Sequence, residues 1–297
     1  MKRLILGLTA VTMFCSCAGI NLKHPDVDQV KTIALVGATA NVEYGDIDGK
    51  EKKKSDGAAF LDAVTKAVVN STRPEATAEQ VAIVTYGAKA LNEAFNSFNG
   101  WRSIPLDSVI ENSAYQNIFK PSSEHAVVNK LEGFAQFLDK ASWATPTGMH
   151  PVPYDAVVPQ STTYVNGEKV EAETLRRLAS LCDSLHVDAV AVVQYYFAYD
   201  RTWLSGIKGS GLLSSARGYS KPMVGMNVAV IDRNGNVVLS TDRGWGKFKA
   251  EDSVPMMYQD KVDLKDGEGK CVDGYNKTID MAVSAFKTKV NEKFSKK

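Results

Sequence analysis

The chain has 297 residues, of which 44% are hydrophobic and 23% are charged. This composition is typical of a globular protein with enough apolar surface for a sizeable core. Its 35 basic and 34 acidic residues give a formal net charge of +1. Because a nearly neutral chain has little attraction for a phosphate backbone, we expect no nucleic-acid partner.

The amino terminus has the parts of a secretory signal. Lys2 and Arg3 supply positive charge, and 4–14 is an apolar stretch too short to span a bilayer. Ser16 is a small residue before Cys17, and this segment resembles the lipobox of bacterial lipoproteins, although Phe14 is bulkier than the usual leucine. We therefore predict a signal peptide at 1–16 that is cleaved before Cys17. The alternative is plain secretion.

A lipid attached to Cys17 determines the predicted location of the mature protein. Several acyl chains, such as palmitate, are enough for stable anchoring to a membrane. No acidic run follows Cys17, and we predict a lipid anchor in the outer membrane with the protein facing the periplasm. Residues 17–30 are predicted to be a short polar tether.

Hydrophobic periodicity after the tether predicts alternating strands and helices. The predicted strands are 32–37, 101–106, 187–199, 223–231, 237–240 and 245–249. The predicted helices are 60–68, 81–95, 109–119, 127–138, 175–185 and 279–294. This order predicts an α/β or α+β fold, with a mixed sheet and packed helices in one domain over 31–297. Residues at about 45–165 would be an elaboration of that domain.

A set of local patterns in the second half of the chain is familiar. A leucine-striped helix runs into the valine-rich segment Leu185–Val193, and a later strand ends in the sequence Asp232-Arg-Asn-Gly-Asn-Val-Val238. With the opening strand and the terminal amphipathic helix, this resembles the periplasmic domain of curli-secretion (CsgG-like) lipoproteins, which shares a fold with the amino-terminal domain of TolB. In that family, an aspartate at the position of Asp188 and the turn at 232–238 recur. The likeness covers 32–37 and 172–294.

Pore-forming members of that family differ from this chain in one respect. Their membrane-crossing hairpins need alternating apolar residues, about 9–11 in each strand. Here the candidate segment 202–219 is interrupted by glycines and carries Lys208 and Arg217. The sequence therefore argues against a pore.

The residues that could bind a metal favour structural roles. The segment Asp232–Asn236 has oxygen ligands at alternate positions, but the final position of a twelve-residue calcium loop is Arg243. We therefore predict a hairpin turn. No histidine among His24, His125, His150 and His186 has a partner at metal spacing, and we expect His186 to close a helix. We predict no metal site, no cofactor and no catalytic residue.

Two cysteines remain in the predicted mature domain, Cys182 and Cys271. The periplasm permits a disulfide, but the sequence does not determine whether the two thiols meet. Because Cys182 lies on the apolar face of a predicted helix, a buried free thiol is the alternative.

Aromatic residues supply the candidate binding surface. Alternation along the strand places Tyr195, Phe197 and Tyr199 on one face, and Trp203 follows in a segment rich in glycine and serine. One interpretation is an exposed groove for a peptide, a glycan or a lipid. The alternative is a row that faces the core beneath helices.

These observations predict a membrane-anchored envelope lipoprotein that is not an enzyme and binds a protein partner or assembly in the periplasm. One alternative is an oligomeric, CsgG-like secretion-channel subunit. Another is a hydrolase of envelope polymers, which would need convergent carboxylates or a nucleophile and base in one cleft.

Overall fold

The computed structural model describes residues 19–42, 44–46, 75–119, 143–158, 167–200, 221–241, 250–251 and 270–296. The strands are β1 (Ile20–Leu22), β2 (Thr32–Asn41), β3 (Gly45–Asp46), β4 (Arg102–Ser103), β5 (Trp143–Ala144), β6 (Ala189–Asp200), β7 (Lys221–Asp232), β8 (Val237–Thr241) and β9 (Ala250–Glu251). The helices are α1 (Asp26–Gln29), α2 (Ala78–Phe95), α3 (Leu106–Ile110), α4 (Ser113–Asn117), α5 (Gly167–Leu185) and α6 (Lys270–Phe294). A 3-10 helix covers Tyr154–Ala156.

The described strands form one mixed sheet with the order β1-β8-β7-β6-β2-β4. β2 is parallel to β4 and β6 and antiparallel to the short β5, whereas β1, β8, β7 and β6 alternate in direction. Helices pack on both faces of this sheet, with α2 and α6 on one face and α5 on the other. The predicted fold class, a mixed sheet with packed helices, is confirmed.

The centre of the sheet is the antiparallel ribbon of β6 and β7. The two strands pair without interruption from Ala189 opposite Asp232 to Asp200 opposite Lys221. Almost every described side chain in this ribbon is buried, which explains why the sequence of β6 begins as a continuous apolar run. The strands predicted at 187–199 and 223–231 are therefore confirmed.

A bulge in β2 keeps its apolar side chains on the correct faces. Between Leu35 and Gly37, β2 contains one residue more than β6. This insertion shifts the alternation by one residue, so that Ile33 and Ala38 contribute to the same core beneath α2 and α6. A Cβ atom at Gly37 would lie 2.9 Å from the Cβ atom of Val152, so a side chain does not fit there.

The predicted tether at 17–30 is wrong over most of its described part. Ile20–Leu22 forms β1 and pairs with β8, with Ile20 opposite Thr241. The side chains of Ile20, Val27 and Val30 are buried in the core. These apolar residues are too widely spaced to show a period in the sequence, and they become ordered because β8 offers an unpaired edge.

The segment predicted as an elaboration, 45–165, contributes a central part of the core. Helix α2 begins after Thr77, whose side chain and that of Gln80 form a reciprocal capping box. Ile83 and Phe95 on this helix are fully buried in the same cluster as residues of α6. α2, although it lies within the predicted elaboration, is thus an integral part of this domain's core.

Other predicted elements differ in extent. The strand expected at 101–106 is limited to β4, and the helix expected at 109–119 is divided into α3 and α4. Asn112 causes the division, because its side chain accepts a hydrogen bond from the Tyr115 backbone and caps α4. The elements predicted at 60–68, 127–138 and 245–249 lie outside the described residues.

Candidate functional site

The predicted binding surface lies in the core. Tyr195 and Phe197 are fully buried, and Tyr199 is 5% exposed. All three side chains point from β6 toward α2 and α6 and belong to the core on that face. The interpretation as an exposed groove is wrong for these residues, and the alternative of a core-facing row describes them. Trp203 lies outside the described residues.

Tyr195 contacts the backbone of α2 at Gly87. Its hydroxyl donates a hydrogen bond to the Gly87 carbonyl over 2.8 Å. A Cβ atom at Gly87 would lie 2.9 Å from the Tyr195 ring. The glycine therefore allows the helix to approach the strand closely enough for the buried hydroxyl to find an acceptor.

An aromatic cluster of Tyr44, Tyr195, Phe197 and Tyr275 lies at the carboxyl end of β6. The Tyr195 and Phe197 rings are stacked with centroids 5.9 Å apart, and Tyr275 meets Phe197 edge to face at 5.5 Å. The Tyr44 ring contacts both Phe197 and Tyr275, at 5.3 Å and 5.0 Å. Sequence analysis missed Tyr44 and Tyr275, because they come from a segment after β2 and from α6.

The tyrosine hydroxyls of this cluster remain protonated. Burial raises the pKa of Tyr195 and of Tyr275 above that of a free phenol, and Tyr275 donates to the Ala198 carbonyl over 2.9 Å. Burial and the nearby Cys271 also raise the pKa of Tyr44, whose buried hydroxyl oxygen has no hydrogen-bond partner within the described ranges. These groups can pack and donate hydrogen bonds, but they are unsuited to act as bases near neutral pH.

A polar layer lies on the opposite face of the same strands. The Gln194 side chain accepts a hydrogen bond from the Tyr154 backbone over 2.8 Å, and the Asn227 amide donates to the Tyr196 hydroxyl over 3.2 Å. The Thr241 hydroxyl accepts from the backbone of Val228 and is 3.5 Å from the Asn227 side-chain oxygen. The layer fixes the register of β6, β7 and β8 through buried, mutually satisfied groups.

The aspartate before the valine-rich strand joins two segments that are distant in sequence. Oδ2 of Asp188 accepts hydrogen bonds from the backbone N–H groups of Lys31 and Thr32, each over 2.9 Å. Burial opposes its ionisation, but these hydrogen bonds outweigh burial, and the pKa of Asp188 is lowered. The side chain holds the start of β2 beside the start of β6.

The segment Asp232–Asn236 forms the predicted hairpin turn. Oδ1 of Asp232 accepts from the backbone N–H groups of Asn234 and Asn236, over 2.9 and 2.7 Å. Gly235 has φ of +83°, which explains why glycine stands there. The carboxylate is thus directed into the turn and not toward a metal ion, in agreement with the predicted structural role.

The described histidines lie in separate parts of the fold. His186 has φ of +54° and closes α5, because the next N–H, of Val187, bonds to the Cys182 carbonyl over 2.9 Å. His150 is half-buried, and its ring Nε2 lies 3.0 Å from the Tyr115 carbonyl oxygen. Burial lowers the pKa of His150. His24 lies 2.9 Å from the Asp28 carboxylate near the domain surface, and His125 is outside the described residues.

Neither Cys182 nor Cys271 forms a disulfide, and both are buried. They lie in the two different cores, on opposite faces of the sheet, so the sheet itself separates the thiols and excludes a disulfide between them. Burial raises the pKa of Cys182 to about 12, which makes it an unreactive thiol.

Comparison with known proteins does not assign the chain to a family. It matches no protein-family model, no curated protein and no solved structure. Within the described ranges, no group of three or more His, Cys, Asp and Glu residues is placed to hold a metal ion. In the same ranges, no helix is both long enough and apolar enough to cross a bilayer.

Proposed function

We propose that the protein is a membrane-anchored envelope lipoprotein whose α/β domain binds a protein partner or assembly in the periplasm. The observation that carries the proposal is the amino-terminal sequence, in which Lys2, Arg3 and an apolar stretch precede Ser16-Cys17. The acylated amino group and thiol of Cys17 would hold the domain at the outer membrane. The resemblance to the curli-secretion family supports the same location.

The position of β1 supports this proposal. The first described strand, β1, begins at Ile20, soon after the proposed cleavage site. A cut before Cys17 would therefore remove the apolar residues and leave the sheet intact. A cut further along the chain would remove part of β1, whose Ile20 is buried.

The roles of the acidic residues support a binding protein over an enzyme. Asp188 and Asp232, the two aspartates that recur in the resembling family, direct their carboxylates at backbone N–H groups of the fold. Glu173 is paired with Arg176, and this hydrogen bond, together with Arg177, lowers the pKa of Glu173 to about 2. These carboxylates are used to fix the chain and are not poised for proton transfer.

Metabolic labelling tests the anchor. Cells expressing the wild type, Cys17→Ser or Cys15→Ser would be grown with an alkyne analogue of palmitate, and the purified proteins would be examined by mass spectrometry. We expect label on the wild type and on Cys15→Ser, the matched control, and none on Cys17→Ser. An unmodified amino terminus at another position, with the protein free in the medium, would contradict the proposal.

Photo-crosslinking tests the partner. Tyr86 and Met281 are the large hydrophobic side chains that the described residues expose, at 36% and 45%. They lie on adjacent helices, since the Tyr86 hydroxyl donates to Asp280 over 2.8 Å. A photoreactive amino acid at 86 or 281 should capture one defined protein in intact cells, and the same group at exposed Asn234 serves as the control. Recovery of uncrosslinked lipoprotein alone at all three positions would count against the partner.

A further inference from the structure

The pairing register places Ile20, the first residue of β1, partway along the sheet. Ile20 lies opposite Thr241 in β8, and the Thr241 hydroxyl accepts from the N–H of Val228. Val228 in turn lies opposite Val193 of β6. The β6–β7 ribbon therefore continues past the level of Ile20, over 194–200 in β6 and 221–227 in β7.

The direction of the strands puts this extension on the side from which the chain enters. β1 is antiparallel to β8, which is antiparallel to β7, which is antiparallel to β6. β1 therefore runs opposite to β6. The chain that precedes Ile20 joins the sheet from the end toward which β6 runs, the end that carries the aromatic cluster.

The reach of the chain from Cys17 to Ile20 can be compared with the length of the ribbon beyond the level of Ile20. Cys17 lies three residues before Ile20, which limits their separation to roughly 11 Å in a fully extended chain. The ribbon advances seven residues beyond the level of Ile20, or about 23 Å along its own axis. Strands in a sheet rotate by about 20–25° from one neighbour to the next. Because of this rotation, the advance of the ribbon is shorter when it is measured along the direction of β1. It is then roughly equal to the distance that the chain from Cys17 to Ile20 can span.

From this geometry we infer that the carboxyl end of β6, with the aromatic cluster behind it, faces the lipid headgroups of the bilayer that holds Cys17. The Asp232–Asn236 turn and the end of α5 at His186 face away from the membrane. The inference rests on the proposed lipid anchor. The occupant of this end of the domain is a phospholipid surface, because the connection to Ile20 holds this end of the sheet within roughly 11 Å of the acylated cysteine.

The length of helix α6 allows the orientation to be tested, because its two ends lie at opposite ends of the domain. Tyr275, near its start, bonds to Ala198 at the carboxyl end of β6, whereas Phe294 contacts His24, at the other end of the domain. Asp273 and Lys293 are both exposed on this helix. Twenty residues at 1.5 Å per residue separate them by about 30 Å.

The experiment measures the depth of a label at each end of α6. Asp273→Cys and Lys293→Cys would be labelled with a hydrophilic maleimide dye, which the buried Cys182 and Cys271 do not react with. The acylated proteins would be placed in phosphatidylcholine vesicles with a nitroxide quencher on the headgroup. We expect the dye at 273 to lose most of its fluorescence and the dye at 293 to keep it. Cys17→Ser in each background should abolish the difference.

The possible results distinguish a failure of the inferred orientation from a failure of the proposed lipid anchor. If mass spectrometry shows lipid on Cys17 but the two dyes are quenched equally, or the dye at 293 is quenched more, the orientation is wrong and the anchor remains. The same holds if neither dye is quenched. If Cys17 carries no lipid, both the anchor and the orientation are overturned.

Discussion

Asp188 and Thr32 hold each other by reciprocal hydrogen bonds across the start of two parallel strands. The Thr32 hydroxyl donates to Oδ2 of Asp188 over 3.0 Å and accepts from the Asp188 backbone N–H over 3.0 Å. The backbone of Thr32 also donates to the same carboxylate oxygen. The Asp188 N–H also donates to the Thr32 carbonyl over 3.0 Å. The pair therefore fixes the register of β2 against β6, because each residue bonds to backbone groups of the other segment.

Removing this carboxylate should destabilise the domain. We expect Asp188→Ala to lower the free energy of unfolding by about 2–3 kcal/mol, since backbone N–H groups of Lys31 and Thr32 lose a charged acceptor. Asp183→Ala is the matched control, because its side chain is 76% exposed and lies 3.6 Å from Arg233; it should change stability by less than about 0.5 kcal/mol. Urea denaturation measures both. Equal effects would show that Asp188 does not hold the strands.

The same pair predicts a pH dependence. Because the pKa of Asp188 is lowered in the folded state, its ionised form contributes stability above the unfolded pKa of about 4, and this contribution is lost as the pH falls through the folded pKa. The stability difference between the wild type and Asp188→Asn should therefore be constant near neutral pH and shrink below about pH 4. A difference that stays constant down to acid unfolding would contradict this assignment.

The parts of the fold that the sequence predicted are those with local patterns. β6, α5 and the Asp232 turn each carry their signal within a short segment: a valine run, a leucine stripe and an Asp-Asn-Gly sequence. β1 had no such signal, because Ile20 is ordered by an edge strand more than 200 residues away, at Thr241.

The candidate site was harder to predict for a related reason. Alternation correctly placed Tyr195, Phe197 and Tyr199 on one face of β6, but alternation cannot distinguish a face covered by helices from an open one. Which case holds depends on Tyr44 and Tyr275, which approach from other parts of the chain. The small residue at Gly87, in the middle of a helix, was the available sign of close packing at this place.

Replacement of His186 by glycine should stabilise the domain, whereas replacement of a residue within a helix by glycine is destabilising. His186 has φ of +54°, where an L side chain is strained and glycine is not. After allowing for the greater flexibility of glycine in the unfolded chain, we expect His186→Gly to stabilise the domain by about 0.5 kcal/mol.

Two further variants serve as comparisons for His186→Gly. His186→Val should destabilise the domain by at least about 1 kcal/mol, because a β-branched side chain is disfavoured at positive φ. Ser180→Gly, on the exposed face of α5, should destabilise it by about 0.5 kcal/mol through lost helix propensity. Thermal unfolding would rank the three variants, and the same sign for both glycine substitutions would contradict the role given to His186.

The Asp232 turn should be indifferent to calcium. Its carboxylate accepts from two backbone N–H groups through Oδ1 and from the Asn236 side chain through Oδ2. We expect the unfolding temperature to be the same with calcium and with a chelator. Asp232→Ala should cost about 1–3 kcal/mol by leaving turn donors unpaired, whereas Asn234→Ala, at an exposed position, should have a small effect. A calcium-dependent rise in unfolding temperature would instead indicate a metal loop.

The contact between Gly87 and Tyr195 should reverse the usual effect of replacing a helical glycine with alanine. Alanine at a helical glycine ordinarily stabilises a helix by about 1 kcal/mol. Here the new Cβ would lie 2.9 Å from a ring that is fully buried, bonded to Gly87 and stacked on Phe197, so the ring cannot move aside at low cost. Overpacking of this kind costs about 1–3 kcal/mol, and we expect Gly87→Ala to destabilise the domain by about 1 kcal/mol net.

A double-mutant cycle would show whether the ring is the cause. In a Tyr195→Leu background the clash is removed, so Gly87→Ala should become neutral or stabilising, although Tyr195→Leu is itself destabilising because it removes a buried ring and its hydrogen bond. Ala90→Gly on the same helix is the control, and its cost should be the same in both backgrounds. If Gly87→Ala has the same effect with tyrosine and with leucine at 195, the approach of α2 to β6 does not depend on the absence of a side chain at Gly87.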